Sequence, residues 1–171
     1  YSFGHLEQMA ADAKPFKALI DPDAPEFVPA GNIPERIRRY CRESGQRVPE
    51  NEAEIVRCID ESLAFKYRMT LEEIKMCTGR EYPAIHMVGG GTQSGLLCQM
   101  TANACHCPVI AGPVEATVLG NAAVQLLAAG ELRDLDQVRS VAGASAKVSI
   151  YEPKDTDQWE QVYGQYKKML E

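Results

Sequence analysis

Three consecutive glycines, Gly89, Gly90 and Gly91, are the residues of this sequence whose placement is most suited to chemistry. They follow a short apolar run at residues 84–88, which is typical of a buried strand, and they precede a helical pattern at residues 93–104. A glycine turn lets the backbone approach a ligand closely because no Cβ intervenes. The following helix directs free N–H groups and the positive end of its dipole to the same place. This combination favours an anionic or polar ligand such as a nucleotide.

Glycine triplets occur in several kinds of turn, and the neighbouring residues distinguish some of them. The glycines could simply form a tight turn that lets helix and strand pack. A Walker phosphate loop needs Gly-Lys-Ser/Thr, whereas residues 91–94 read GTQS. A hydrolase elbow needs Gly-x-Ser-x-Gly, which the surroundings of Ser94 do not provide. A Rossmann fingerprint fits with one residue too many between its last two glycines, so an NAD-binding module stays an alternative.

Six cysteines invite comparison with a zinc site, but their spacing does not support one. Zinc sites usually combine two closely spaced cysteines with a second pair of cysteines or histidines. Cys105 and Cys107 flank His106, and the sequence contains no such second pair. We therefore interpret the cysteines as buried, reduced thiols and predict no metal ligand in this chain.

The long helix predicted at residues 49–78 is the clearest element that must position the glycine turn. Asn51 with Glu54 resembles a capping box, and Gly79 is a natural C-terminal stop. Apolar side chains recur three or four residues apart, as on one face of an amphipathic helix. The members of this stripe are Ile55, Ile59, Leu63, Tyr67, Leu71 and Ile74.

Residues 84–130 alternate strand, helix, strand and helix, which implies two parallel strands joined by a right-handed crossover. Five prolines break residues 14–34, where only a short extended piece at residues 16–20 is expected. The remaining predictions are helices at residues 1–13, 32–43 and 134–142, an extended piece at residues 147–151, and a helix from residue 156 onward.

Composition and charge exclude several classes of protein. The 171 residues are 45% hydrophobic and 25% charged, which is typical of one soluble globular domain. The net charge of −6 opposes binding to nucleic acid. No apolar stretch approaches the roughly 20 residues that cross a bilayer, and no signal peptide is visible. We therefore predict a cytoplasmic location, with neither nucleic acid nor membrane as a partner.

Two stretches around the glycine turn resemble the FGGY carbohydrate kinases. Residues 88–94 read VGGGTQS, followed by LLCQ at residues 96–99 and ANA at residues 102–104, which is similar to the adenosine motif of that family. Residues 109–121 read VIAGPVEATVLGN, and this segment is similar to the one that follows in the family. Its GPVEAT and GN are closest to the rhamnulokinase branch. The resemblance extends over nearly all of the chain.

The resemblance implies an α/β fold, namely the second domain of an actin-like (ribonuclease-H-like) ATPase, with helices packed on a mostly parallel sheet. The implied reaction transfers the γ-phosphate of ATP to the 1-hydroxyl of L-rhamnulose, with Mg²⁺ bridging the phosphates. A kinase of another ketose in the same family stays an alternative, because no sugar-contacting residue can be recognised here. A non-catalytic nucleotide-binding domain is a further alternative.

By position, the resemblance assigns the nucleotide contacts to the glycine turn. Gly90 matches the residue whose backbone faces the nucleotide, and Gly89 and Gly91 would shape the loop. Ser94 matches a polar position that contacts the nucleotide, and Gln93 lies beside it.

The resemblance also implies that residues 1–171 are the C-terminal, nucleotide-binding portion of a two-domain kinase. The N-terminal domain, the first strands of the sheet and the catalytic aspartate are expected upstream of Tyr1. We therefore predict no catalytic residue in this chain and no kinase activity for the chain alone. Cys41 and Cys58 resemble in their spacing a cysteine pair of some rhamnulokinases. Reduced thiols are the default in a cytosolic enzyme, and the resemblance adds a disulfide between these two cysteines as the alternative.

Overall fold

The structure is a computed structural model that describes residues 1–145 and 147–171. The elements in chain order are α1 (Phe3–Asp12), α2 (Ile33–Glu43), α3 (Glu52–Thr78), β1 (Ile85–Met87), α4 (Gly95–Cys105), β2 (Val109–Ala111), α5 (Ala116–Ala128), α6 (Leu135–Ser145), β3 (Ser149–Tyr151) and α7 (Thr156–Met169). Short 3₁₀ turns occupy Pro25–Phe27 and Gly90–Gln93. Within the described part of the chain, no helix has the length and apolar character needed to span a membrane.

The three strands form one small sheet in the order β1-β2-β3. β1 and β2 run parallel, with Ile85 opposite Val109, and α4 makes the crossover between them. This confirms the predicted strand-helix-strand unit. β3 pairs with β2 in the antiparallel direction, with Tyr151 opposite Val109. The described sheet is therefore mixed, because the chain returns to the edge of β2 from the opposite direction after α5 and α6.

Helices α3, α4 and α7 enclose the main hydrophobic core. Phe65 of α3 lies at its centre, with ring centroids 5.1 Å from Trp159 and 5.2 Å from Tyr166 of α7. α4 lies between this core and the sheet, because Cys98 and Ala102 on its other side pack against the side chains of β1 and β2. The glycine turn between β1 and α4 is therefore attached to the most buried helix of the domain.

The long helix is confirmed, but of its predicted apolar face only Ile55, toward its start, is fully buried, and Ile59 is partly buried. Asn51 caps α3 by accepting a hydrogen bond from the Glu54 amide, and Gly79 ends the helix at φ +64°. Tyr67 and Ile74, however, are 38% and 43% exposed. The fully or nearly fully buried positions are Ile55, Cys58, Glu61, Ser62, Ala64 and Phe65. The apolar periodicity could not predict this buried face, because two of its side chains, Glu61 and Ser62, are polar. Only their hydrogen bonds to residues outside α3 explain why they can be buried.

Residues 16–20, predicted as an extended piece, form no strand. Their backbone amides donate to side chains instead: Leu19 to the Gln46 side chain at 2.9 Å and Ile20 to the Ser62 hydroxyl at 3.0 Å. Side chains thus accept the hydrogen bonds of these backbone amides, and a neighbouring strand is not needed to pair with them.

A buried carboxylate joins this segment to α1 and α3. Glu61 is completely buried and accepts hydrogen bonds from the Phe16 amide at 2.9 Å and from Arg57 Nε at 2.7 Å. Burial raises the pKa of Glu61 to about 7, although Arg57 opposes this shift. Arg57 also donates to the carbonyl oxygens of Ala10 and Ala11 at 3.0 Å each. The pair therefore fixes the C-terminal end of α1 on α3.

Replacing Glu61 with alanine should destabilise the protein strongly. The change leaves the Arg57 guanidinium and the Phe16 amide without their acceptor, and breaking a buried pair in this way costs about 3 kcal/mol or more. The free energy of unfolding, measured by urea denaturation with circular dichroism, should fall by that amount. Glu73→Ala is the matched control, since Glu73 lies exposed on the same helix and should change stability by less than about 0.5 kcal/mol. Equal stability of the two variants would contradict the role given to Glu61.

Candidate functional site

The glycine loop presents bare backbone to its surroundings. Gly89 adopts φ +81°, and its carbonyl oxygen accepts from the Thr92 amide at 3.1 Å and from the Thr92 hydroxyl at 2.7 Å. Gly90 and Gly91 are exposed, and a Cβ added to either would meet no atom within 4 Å. Among the described residues, their N–H groups have no backbone acceptor. A ligand can therefore approach the backbone of both residues.

The turn after β2 holds the loop in place. The Gly89 amide donates to the Pro113 carbonyl at 3.0 Å, and the Gly112 amide donates to the Met87 carbonyl at 2.9 Å. Gly112 has φ +128°, and a Cβ there would lie 2.6 Å from the Lys147 carbonyl oxygen. Only glycine fits this position, because both the backbone angle and the close approach exclude a side chain. Sequence reasoning missed this role, although the Gly-Pro pair after the second strand was a visible turn signal.

The start of α4 is occupied by side chains of the protein itself. The Ser94 hydroxyl accepts from the Leu97 amide at 3.0 Å and donates to Glu7 Oε1 at 3.2 Å, and the Leu96 amide donates to the same oxygen at 2.8 Å. Ser94 is only 6% exposed, while Gln93 lies exposed at the end of the loop. The Glu7 carboxylate therefore takes the place of an anionic ligand at the start of the helix. The expectation that the first N–H groups of this helix face a ligand is not met for the Leu96 and Leu97 amides, which donate to Glu7 and Ser94.

A cavity of about 360 Å³ lies beside the loop, between α1, α3 and the start of α4. Its apolar walls are formed by Phe3, Leu6, Val56 and Leu97. Its polar lining consists of the loop backbone at Gly90 and Gly91 and the side chains of Glu7, Asp60 and Ser94. Pockets that bind small ligands have a volume of this order and a similar mixture of apolar walls with few polar groups. The structure thus brings Gly90, Gly91 and Ser94 together at one cavity.

Two carboxylates make this cavity electronegative. Burial, together with the neighbouring Glu7, raises the pKa of Asp60 to about 6, and Arg57 only partly opposes the shift. Sequence reasoning missed both residues, because neither belongs to a recognisable motif and both lie far from the loop in the chain. Helical spacing places Asp60 one turn after Val56, on the same face of α3. Whether this face lines a cavity depends on how α1 packs against α3, which the sequence does not reveal.

The comparison with protein families identifies the chain at the family level. Residues 1–129 match the C-terminal domain of the FGGY family of carbohydrate kinases. The chain belongs to the FGGY carbohydrate kinases. This confirms the resemblance that the adenosine motif indicated.

Curated FGGY relatives cover almost the whole chain. It is 40% identical over 169 residues to a rhamnulokinase of Bacteroides thetaiotaomicron, spanning 99% of this chain and 35% of the relative. It is 38% identical over 159 residues to a rhamnulokinase of Enterococcus faecalis, spanning 92% of this chain and 32% of the relative. The chain therefore spans about a third of the length of these relatives.

Solved structures of a glycerol kinase and a xylulose kinase share the fold. A glycerol kinase of Plasmodium falciparum, determined with ADP, matches with a TM-score of 0.68 and 15% identity over 99% of this chain and 33% of that one. A xylulose kinase of Rhodospirillum rubrum matches with a TM-score of 0.63 and 17% identity over 97% of this chain and 33% of that one. These matches confirm the predicted fold class, an α/β domain of the actin-like ATPase type.

The described residues of this FGGY domain contain no group of three or more His, Cys, Asp or Glu side chains that could hold a metal ion. Cys105 and Cys107 belong to no such group. Burial and the nearby Cys107 raise the pKa of Cys105 to about 12, so that its thiol stays protonated.

Cys41 and Cys58 lie side by side as buried free thiols. The hydrogen bond to the Cys41 thiol and burial raise the pKa of Cys58 well above its usual value. Both thiols belong to the same buried cluster, and the disulfide between them stays a prediction.

Alkylation of the unfolded protein should reveal this disulfide after isolation without reductant. Four of the six cysteines should react, and all six should react once reductant is added, as counted by mass spectrometry. In Cys41→Ser the five remaining cysteines should all react without reductant. Six reactive cysteines in the protein isolated without reductant would show that the pair is reduced.

Proposed function

We propose that the full-length protein transfers the γ-phosphate of ATP to the 1-hydroxyl of L-rhamnulose, and that this chain supplies the adenosine side of the ATP site. The observation that carries the proposal is the open backbone of Gly90 and Gly91 beside the cavity. The identity of 38–40% to rhamnulokinases supports the choice of sugar. Membership of the FGGY family favours this function over an NAD-binding module.

The cavity suits a nucleoside better than a phosphate chain. Apolar side chains on α1, α3 and α4 offer a surface on which a flat base can lie. The Glu7 carboxylate occupies the start of α4, where a phosphate would otherwise bind, and like charges repel. The base and ribose therefore lie in the cavity in this proposal, while the phosphates leave it past the glycine loop toward the remainder of the kinase.

In this proposal, Mg²⁺ is bound by the phosphates of ATP and arrives with the nucleotide. The described residues provide no metal cluster, and the two carboxylates at the cavity line its nucleoside-binding part. No step of the reaction is therefore assigned to a metal held by this chain. The catalytic base is likewise expected outside it, and a cytoplasmic location belongs to the same proposal.

Gly90→Val in the full-length protein should impair nucleotide binding selectively. The branched side chain would occupy the space in which the nucleotide lies against the loop, and overpacking costs about 1–3 kcal/mol. The KM for ATP should rise by about tenfold or more, while the KM for L-rhamnulose stays nearly constant. Gly143→Val is the matched control, because Gly143 also has open space around it but lies on α6. An unchanged ATP requirement in Gly90→Val would refute the loop assignment.

The full-length protein should phosphorylate L-rhamnulose with ATP, whereas the 171-residue chain alone should not. Phosphoryl transfer depends on groups positioned around all reactants, and this chain provides only one side of the site. A coupled assay of ADP release, with D-xylulose as the comparison sugar, measures both properties. Turnover by the 171-residue chain would contradict the proposal that it provides only one side of the active site. A higher kcat/KM for D-xylulose would contradict the proposed substrate and favour the alternative of another ketose.

A further inference from the structure

One side chain in the cavity has hydrogen-bonding capacity that the protein does not use. Glu7 is engaged by the Ser94 hydroxyl and the Leu96 amide. Asp60 also lines the cavity, yet its carboxylate accepts no hydrogen bond from any described residue. Asp60 is half-buried, so water still reaches its carboxylate while the cavity is open. A ligand that fills the cavity would displace this water, and that displacement is costly unless the ligand donates a hydrogen bond in its place.

The position of Asp60 indicates which part of the ligand supplies this donor. Asp60 lies on α3 one helical turn after the apolar Val56, and both line the cavity. Phe3 and Leu6 of α1 line the same cavity, while the loop backbone at Gly90 forms another part of its lining. The carboxylate therefore stands among the apolar side chains that suit a flat base.

On the basis of the proposed function, we propose that Asp60 determines the choice of base by accepting a hydrogen bond from the exocyclic 6-amino group of adenine. A base without an amino group at this position would leave the carboxylate unpartnered in the cavity. Such a site rejects the analogue more strongly than an apolar pocket could, because its buried polar group stays unpaired.

The groups around Asp60 determine the pH range in which its carboxylate can accept a hydrogen bond from the ligand. Glu7 on α1 raises the pKa of Asp60 and Arg57 on α3 lowers it, while burial has the largest effect and brings the value to about 6. The side chain is therefore mostly ionised at pH 8 and mostly protonated at pH 5. Because the ionised form is the better acceptor, preference for the amino group should weaken as the pH falls through this range.

Calorimetric titration of the full-length protein with ADP and with purine riboside 5′-diphosphate, which lacks the 6-amino group, tests the assignment. The wild-type protein should bind ADP about tenfold or more tightly than the analogue at pH 8, since a hydrogen bond to a charged group has an effect of this order. In Asp60→Ala the two dissociation constants should differ by less than about twofold. Asp60→Asn, which keeps a neutral acceptor, should give an intermediate ratio.

Two controls separate this proposal from its alternatives. Glu73→Ala, on the same helix but exposed and away from the cavity, should keep the wild-type ratio. A preference of wild type for ADP over 2′-deoxy-ADP that Asp60→Ala removes, with the 6-amino preference unchanged, would overturn the proposal by assigning the carboxylate to the ribose. A ratio near one in wild type would also overturn it but leave the proposed function intact. Absence of ADP binding to wild type would overturn both.

Discussion

The Glu7 carboxylate accepts hydrogen bonds from the Ser94 hydroxyl and the Leu96 amide, and these bonds hold α1 against the start of α4. They join residues 87 and 89 positions apart in the chain. They fix the position of α1, which forms one wall of the cavity, relative to the glycine loop. The same bonds neutralise the positive end of α4. In the proposed function, this interaction therefore positions one wall of the cavity and disfavours a phosphate at the start of α4.

α1 is held in both of its halves by hydrogen bonds to α3 and α4. Its N-terminal half is held by Glu7, and its C-terminal end is held by Arg57, which donates to the Ala10 carbonyl while pairing with Glu61. Buried pairs of this kind contribute little net stability, but removing one partner is costly. We infer that their role here is positional. Residues far from the glycine loop in the chain thereby position the wall of the cavity that lies beside the loop.

Much of the fold could be predicted from local patterns in the sequence. The strand, glycine turn and helix around Gly90, the bounds of α3 and the parallel pairing of β1 with β2 all follow from periodicity and turn residues. The buried face of α3 could not be predicted, because Glu61 is buried through contacts that only the tertiary fold creates. The same holds for the cavity, since nothing near Asp60 in the sequence indicates that α1 packs beside it.

In the proposed function, a nucleoside binds between α1, α3 and the glycine loop. Hydrogen exchange of the full-length protein, followed by mass spectrometry with and without ADP, shows whether this region is covered. We expect slower exchange in peptides covering residues 88–97 and residues 3–7, because a bound nucleoside would cover Gly90 and Gly91 and hold Glu7 on α4. ADP binding that leaves both segments unchanged, or protects only segments away from the cavity, would contradict a nucleoside site at this cavity.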